Sequence, residues 1–214
     1  GRHPYNNDRH HTFILEGARD VHKALAQRGI RHAFHLATDP SAPGPLPGLI
    51  AKASVVITED YPAPPFPAWQ SRLIADSDRP WVVVDASCIV PMRSIGKGYA
   101  RAYHFRNRMG DEALQRAQQD WPECTVQPKR WDGDVRNEVD WDIPIDELVA
   151  GCRIDHAVAP VPHTRGGSTA ALQRWEYFLE SRIKGYARKR NNPTAEHGVS
   201  RMSAYLHHGH ISVF

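Results

Sequence analysis

Apolar residues return at helical spacing close to the N-terminus. In residues 12–28, Phe13, Ala18, Val21, Ala24 and Leu25 share one side of a 3.6-residue period and Gly29 follows as a stop, which predicts an amphipathic helix. Residues 30–36 read as a short strand. After a loop rich in proline and glycine and the apolar stretch 49–53 comes the run Ser54-Val55-Val56-Ile57-Thr58, where β-branched residues dominate and Glu59 and Asp60 close the run. That is the pattern of a buried strand. Residues 66–75 predict a helix and 80–85 a second buried strand. Strand, helix and strand at this spacing predict an α/β fold, a Rossmann-like parallel sheet covered by helices. Ligands of such sheets sit beyond the carboxyl ends of strands, where Asp39, Thr58 and Asp85 fall, although each would serve equally as a loop-capping residue. A doubly wound domain opens on a strand and this chain opens on a helix, so the first strand is expected to lie before Gly1.

The pattern weakens between residues 89 and 162. A helix is predicted over 111–119, and the acidic stretch 131–148 reads as a surface linker with a short helix near its end. Past Gly166 and Gly167 the character changes. Leu172, Trp175, Phe178, Leu179, Ile183 and Tyr186 repeat every three or four residues, predicting one long helix from Thr169 to about Lys189 with Ser168 as its N-cap and Trp175 in the core. A second helix is expected from Ser200 through Met202 and Leu206 to Ile211. The chain thus divides into an α/β region over 1–125, a connecting region over 126–165 and a helical region over 166–214.

Composition adds exclusions. None of the 214 residues falls in an apolar run near the ~20 that a bilayer span requires, and the N-terminus lacks a signal-peptide core, so a soluble, cytoplasmic protein with no membrane partner is expected. Three cysteines, Cys88, Cys124 and Cys152, are too few and too scattered for a disulfide framework or a cysteine-rich zinc site. The net charge of +3 is a mild bias, and the basic cluster Arg182, Lys184, Arg188, Lys189 and Arg190 reads as a solvated helix face. No glycine-rich dinucleotide fingerprint or Walker sequence is present, which excludes an ordinary dehydrogenase or NTPase.

A helix opening at Ser200 would offer free backbone N–H groups, the positive end of its dipole and the hydroxyls of Ser200 and Ser203. Arg201 and the Tyr186 hydroxyl could join them, a set suited to a diphosphate. From the residues alone, an ordinary helix cap accounts for the two serines equally well. His207, His208 and His210 raise a metal reading, but no carboxylate or cysteine accompanies them at ligand spacing, and no metal is assigned.

The last stretch resembles a known family. The helix opened by Gly166-Gly167 and ending at Gly185-Tyr186, the turn Arg190-Asn191-Asn192-Pro193, then Ser200-x-x-Ser203 and Tyr205-Leu206-His207-x-Gly209 resemble the start of the flavin-binding domain of the DNA photolyase/cryptochrome family. Within that family the likeness is strongest to class II cyclobutane pyrimidine dimer photolyases. Val84-Asp85-Ala86 with Ile89-Val90-Pro91 resembles the end of the family's α/β antenna domain, and Arg2 with Tyr5-Asn6-Asn7 resembles the segment after its first strand. The resemblance implies an antenna domain over 1–125, a linker over 126–165 and the first helices of an all-α FAD-binding domain over 166–214. It also implies FAD as cofactor, with Tyr186, Ser200, Arg201, Met202 and Ser203 lining its phosphate end, and an antenna deazaflavin or folate. Met202 stands where leucine is usual, Val199 where some members have threonine, His208 where phenylalanine and His210 where glutamine is common. The implied activity is light-driven splitting of pyrimidine dimers in UV-damaged DNA by a monomer, with no acid, base or nucleophile from the protein. Most of the flavin and lesion pockets would come from sequence after Phe214, so these residues alone are expected neither to repair DNA nor to hold FAD tightly. The alternatives are a cryptochrome-like photoreceptor without repair activity and a non-catalytic nucleotide- or antenna-binding α/β module.

Overall fold

The computed structural model describes residues 5–38, 41–120, 127, 129 and 131–213, so that Arg2, Asp39 and Cys124 lie outside the described residues. In order the elements are α1 (Asp8–Gln27), α2 (Leu46–Lys52), β1 (Val56–Glu59), α3 (Phe66–Ala75), β2 (Trp81–Val84), α4 (Met92–Ile95), α5 (Ala102–Ala117), α6 (Ile145–Ala150), α7 (Ser168–Ser181), α8 (Ile183–Lys189) and α9 (Ser203–His207). The fold is mixed α/β. Contacts gather it into two compact units, one of residues 1–44 with 126–211 and one of residues 45–125 with 212–214. The N-terminal helix therefore groups with the helices after residue 126 and not with the strands that follow it in sequence.

The second unit holds the sheet. β1 and β2 pair in parallel with Val56 opposite Trp81 and Glu59 opposite Val84, and α3 makes the crossover between them. α2 and α3 each carry a proline in the first turn, where a missing N–H leaves no bond unmade. The strands are less buried than their composition predicts: Ile57 is 68% exposed and Val82 and Val84 are 47% exposed. Only the face bearing Val56, Thr58, Trp81 and Val83 is partly covered, because a run of β-branched residues signals strand conformation without saying how many faces find a neighbour. Asp85 ends β2 as a capping residue. Its carboxylate accepts the backbone N–H groups of Ser87, Cys88 and Met92 at 3.2, 2.9 and 2.9 Å. Burial pushes its pKa up, but these three donors outweigh burial and hold it below the ordinary value.

In the first unit the Asn7 side chain caps α1 by accepting the His10 N–H at 3.1 Å, so the helix starts four residues earlier than its apolar period suggests. Gly29, at φ 70°, ends it in the left-handed region that glycine enters without penalty. The buried side of α1 is also rotated from the predicted one. Leu15 is 1% exposed whereas Val21 is 41% exposed, since α1 packs on α6 and α7 along the Leu15 side. Residues 30–36 do not form the predicted strand. Only His35 bridges to Glu138, antiparallel, while the Arg31 guanidinium pairs with the Glu138 carboxylate and His32 stacks on Trp141. The acidic stretch thereby enters the fold, with Val135 and Val139 buried between its charged residues and Val149 buried on α6 just after it. None of the described helices is long and apolar enough to cross a membrane.

The entry to α7 explains the paired glycines. The N-cap is Gly167, not Ser168, and its φ of 100° excludes other residues without strain. Three of the N–H groups at this entry find partners across the fold: Gly166 N–H on Glu16 Oε2 at 2.6 Å, Gly167 N–H on His210 Nδ1 at 3.0 Å and Thr169 N–H on Asp20 Oδ2 at 3.0 Å. A Cβ on Gly166 would lie 2.1 Å from the Phe13 carbonyl oxygen. Two carboxylates of α1 therefore act as caps in trans at the positive end of α7, and glycine permits the approach.

Candidate functional site

The predicted long helix is two. Arg182 breaks the helical path at φ −128° and separates α7 from α8. The same break directs Arg182 onto Tyr177, whose hydroxyl oxygen accepts from the guanidinium at 3.2 and 2.7 Å. On α7, Ala171 and Phe178 are buried. Trp175, expected in the core, is 37% exposed and stacks on Phe178 at a centroid distance of 5.5 Å. The helix carries apolar residues on more than one side, and its period alone does not say which stripe meets the core.

The last helix is also shorter than its pattern. Arg201 occupies the left-handed region at φ 58°, so the helical path starts only at Ser203, with Met202 in the N-cap position, and Gly209 at φ 67° closes it. The free N–H groups expected at Ser200 are thus not those of a helix end. Met202 N–H instead reaches Ser200 Oγ at 3.4 Å. With one and a half turns the helix has little dipole, and any anion held here would be held by side-chain charge.

That charge is present. Ser200 and Arg201 line a narrow cleft of about 20 Å³ together with Arg174, Arg182 and His197, and no carboxylate among the described residues lines it. The volume admits a water-sized atom, such as one phosphate oxygen, with the rest of a diphosphate across the mouth. Along α7, Arg174 and Tyr177 are shared with a larger cavity of about 640 Å³, lined also by His163, Arg165, Gln173 and Tyr205. Its wall is fixed by the Tyr205 hydroxyl, which donates to the Arg165 carbonyl at 2.8 Å. Of the four non-glycine residues at positive φ among those described, His163, His197 and Arg201 line these two cavities and Asn137 does not. Left-handed backbone costs about 1–2 kcal/mol per residue and collects where function demands it.

The five residues assigned from sequence are only partly brought together. Ser200 and Arg201 meet in the cleft. Met202, 4% exposed, is buried in a cluster with Ala171 and Tyr205 and does not line the cleft. Ser203 is exposed at the start of α9. Tyr186 is on α8, edge-on to Phe178 at 5.1 Å, and does not line the cleft. Arg174, Arg182 and Tyr177 were missed as site residues. Arg182 was visible as part of a basic cluster, but the chain break that turns it inward has no sequence signal. The histidine group is structural in part: His210 is 8% exposed, accepts from Gly167 and stacks on Phe13 at 4.6 Å.

The chain and its mixed α/β fold have relatives. Along 99% of its length the chain follows, with a TM-score of 0.59 and 17% identity, a crystal structure described as an archaeal photolyase from Sulfolobus tokodaii with two FAD molecules. It is 31% identical to a deoxyribodipyrimidine photo-lyase of Oryza sativa over 94% of its length, and 27% identical to proteins of that name from Arabidopsis thaliana, over 94%, and Methanothermobacter thermautotrophicus, over 98%. No protein-family profile matches. The fold is that of a photolyase. With the sequence likeness along nearly all of its length, the chain belongs to the photolyase family, and it spans about two fifths of the length of these relatives, 40%, 41% and 44%.

Proposed function

We propose that the chain is part of a light-driven DNA-repair flavoenzyme, a carbon–carbon lyase acting on cyclobutane pyrimidine dimers. The observation that carries this reading is the likeness to four proteins named deoxyribodipyrimidine photo-lyase along 94–98% of the chain. The cleft adds a physical fit: cations without a lining carboxylate suit a dinucleotide's diphosphate. Arg174, Arg182, Ser200 and Arg201 would hold the diphosphate, with Met202 as a packing residue, while Tyr186 and Ser203 lie outside the cleft lining. FAD, when bound, supplies the light-driven electron transfer that splits the dimer. The protein's share is to bind, orient and exclude water, and no side chain is assigned as acid, base or nucleophile. DNA is the implied partner, with the lesion flipped out of the stack. The name of the Sulfolobus relative includes a light-harvesting cofactor, and a deazaflavin or folate in that role is the corresponding expectation for this chain.

The test is blue-light repair of an oligonucleotide carrying a thymine dimer, with flavin absorbance measured on the same preparation. It is run on the 214 residues alone and on the longest open reading frame that contains them. Repair and stoichiometric flavin in the long frame, with neither in the short chain, is the expected result. Flavin without repair in the long frame would instead favour a photoreceptor, and neither flavin nor repair a binding module.

A further inference from the structure

The turn that ends α1 folds the chain back on the helix. Gly29, at φ 70°, and the Ile30 N–H, bonded to the Leu25 carbonyl at 2.9 Å, shape that turn. His32 thereby meets His22 of α1, with Nδ1 3.4 Å from Nδ1. Beyond the turn the chain is held by the pairing of Arg31 with Glu138 and by the bridge of His35 to Glu138. Trp141 packs on both imidazoles, its ring centroid 5.7 Å from His22 and 6.4 Å from His32, and Phe34 lies 5.7 Å from the same indole. Both histidines are half-buried, so the pair is positioned by its surroundings and still reachable from solvent.

The distance between the two nitrogens suggests an occupant. It is long for a hydrogen bond, since an N–H donor usually sits about 2.9–3.0 Å from its acceptor. Two imidazole nitrogens bound at about 2.0–2.1 Å to one tetrahedral zinc ion stand about 3.3 Å apart. Ligation needs neutral rings, and burial, then the neighbouring His22, lowers the His32 pKa. Arg31, next to His32 in sequence, has its charge offset by the Glu138 carboxylate. The indole N–H of Trp141 is buried and finds no acceptor among the described residues, and an oxygen ligand on an ion held by the two histidines would supply one. No third histidine, cysteine or carboxylate among the described residues completes a set of three, which leaves the other coordination positions to water or to a donor from another molecule. We infer that His22 and His32 form an open, two-imidazole site for a divalent transition-metal cation of the zinc type, which ties α1 to the segment after Gly29. Neither histidine lines the cleft at Ser200 and Arg201, so the site stands without the flavin reading.

Zinc chloride titrated into the 214-residue chain by calorimetry and cobalt(II) chloride followed by tryptophan fluorescence are the probes. One zinc equivalent should be present in the wild-type chain and lost in H22Q/H32Q, and H22Q alone should weaken it about tenfold. H207Q/H208Q, at the other histidine group, should leave that equivalent in place. Zinc should shift the thermal transition of the wild-type chain upward and leave that of H22Q/H32Q where it is. Circular dichroism checks the fold of each variant. W141F keeps both ligands, so it should retain the zinc equivalent and lose most of the saturable quenching by cobalt, which locates the ion even where H22Q/H32Q does not fold. No saturable zinc binding, an equivalent retained by folded H22Q/H32Q, or cobalt quenching unchanged in W141F would overturn the site.

Discussion

At the scale of single residues, His210 shows how burial converts a side chain into an acid-sensitive joint. Burial, then the neighbouring His208, lowers its pKa from 6.5, with Asp20 acting weakly the other way. His11, His32 and His208 are lowered for the same leading reason. A histidine whose folded pKa lies below its unfolded value contributes its full stability above the unfolded 6.5. It loses that contribution as pH falls from there towards the folded pKa, because the unfolded chain takes up the proton first. Stability measured by urea denaturation should therefore drop between about pH 7.5 and about pH 5, and H210Q should drop less, since glutamine accepts the Gly167 N–H without titrating. Arg201 separates stability from binding. R201G relieves the left-handed backbone, so stability should hold or rise by up to about 1 kcal/mol, while affinity for pyrophosphate in equilibrium dialysis falls about tenfold. A parallel loss of both would show that Arg201 is merely structural.

Among the elements, the junction of α1 with α7 is the tightest. G166A places a methyl group against the Phe13 carbonyl oxygen and should cost about 2–4 kcal/mol in denaturant unfolding. L15A removes the most buried side chain of α1 and should cost about 3 kcal/mol. The other side of α7 behaves differently. Leu172 and Leu179, 50% and 39% exposed, lie with Trp175 on a stripe that covers no core, and L179K should change stability by less than about 0.5 kcal/mol. A loss as large as that of L15A would place this stripe in the core after all. The pair Arg31 and Glu138, about a quarter exposed on each side chain, is of lesser weight. The Arg31 hydrogen bond, outweighing burial, lowers the Glu138 pKa, and at that exposure E138Q should cost only about 0.5–1 kcal/mol.

The whole molecule is two compact units, the first of them assembled from two separate stretches of the chain, 1–44 and 126–211. Thermal unfolding followed by tryptophan fluorescence should show G166A moving the transition of the α1 and α7 unit and leaving that of the sheet unit in place. Much of this plan was legible in the residues: α3, both strands and their parallel pairing and the glycine stop of α1 all follow from local period, β-branching and punctuation. Strand 30–36, the core side of Trp175 and a helix start at Ser200 were read from equally local signals and did not form. A distant partner, Glu138, holds His35, whereas α7 turns its own Ala171 and Phe178 stripe to the core and the left-handed turn at Arg201 delays the start of α9. The sequence by itself determined α1, α3, β1 and β2 through propensity and periodicity, which act over one or two turns, and the family likeness through its motifs. Which faces are buried, which carboxylates cap α7 and which arginines converge beside Ser200 came only from tertiary structure, because those interactions join residues as much as 150 positions apart.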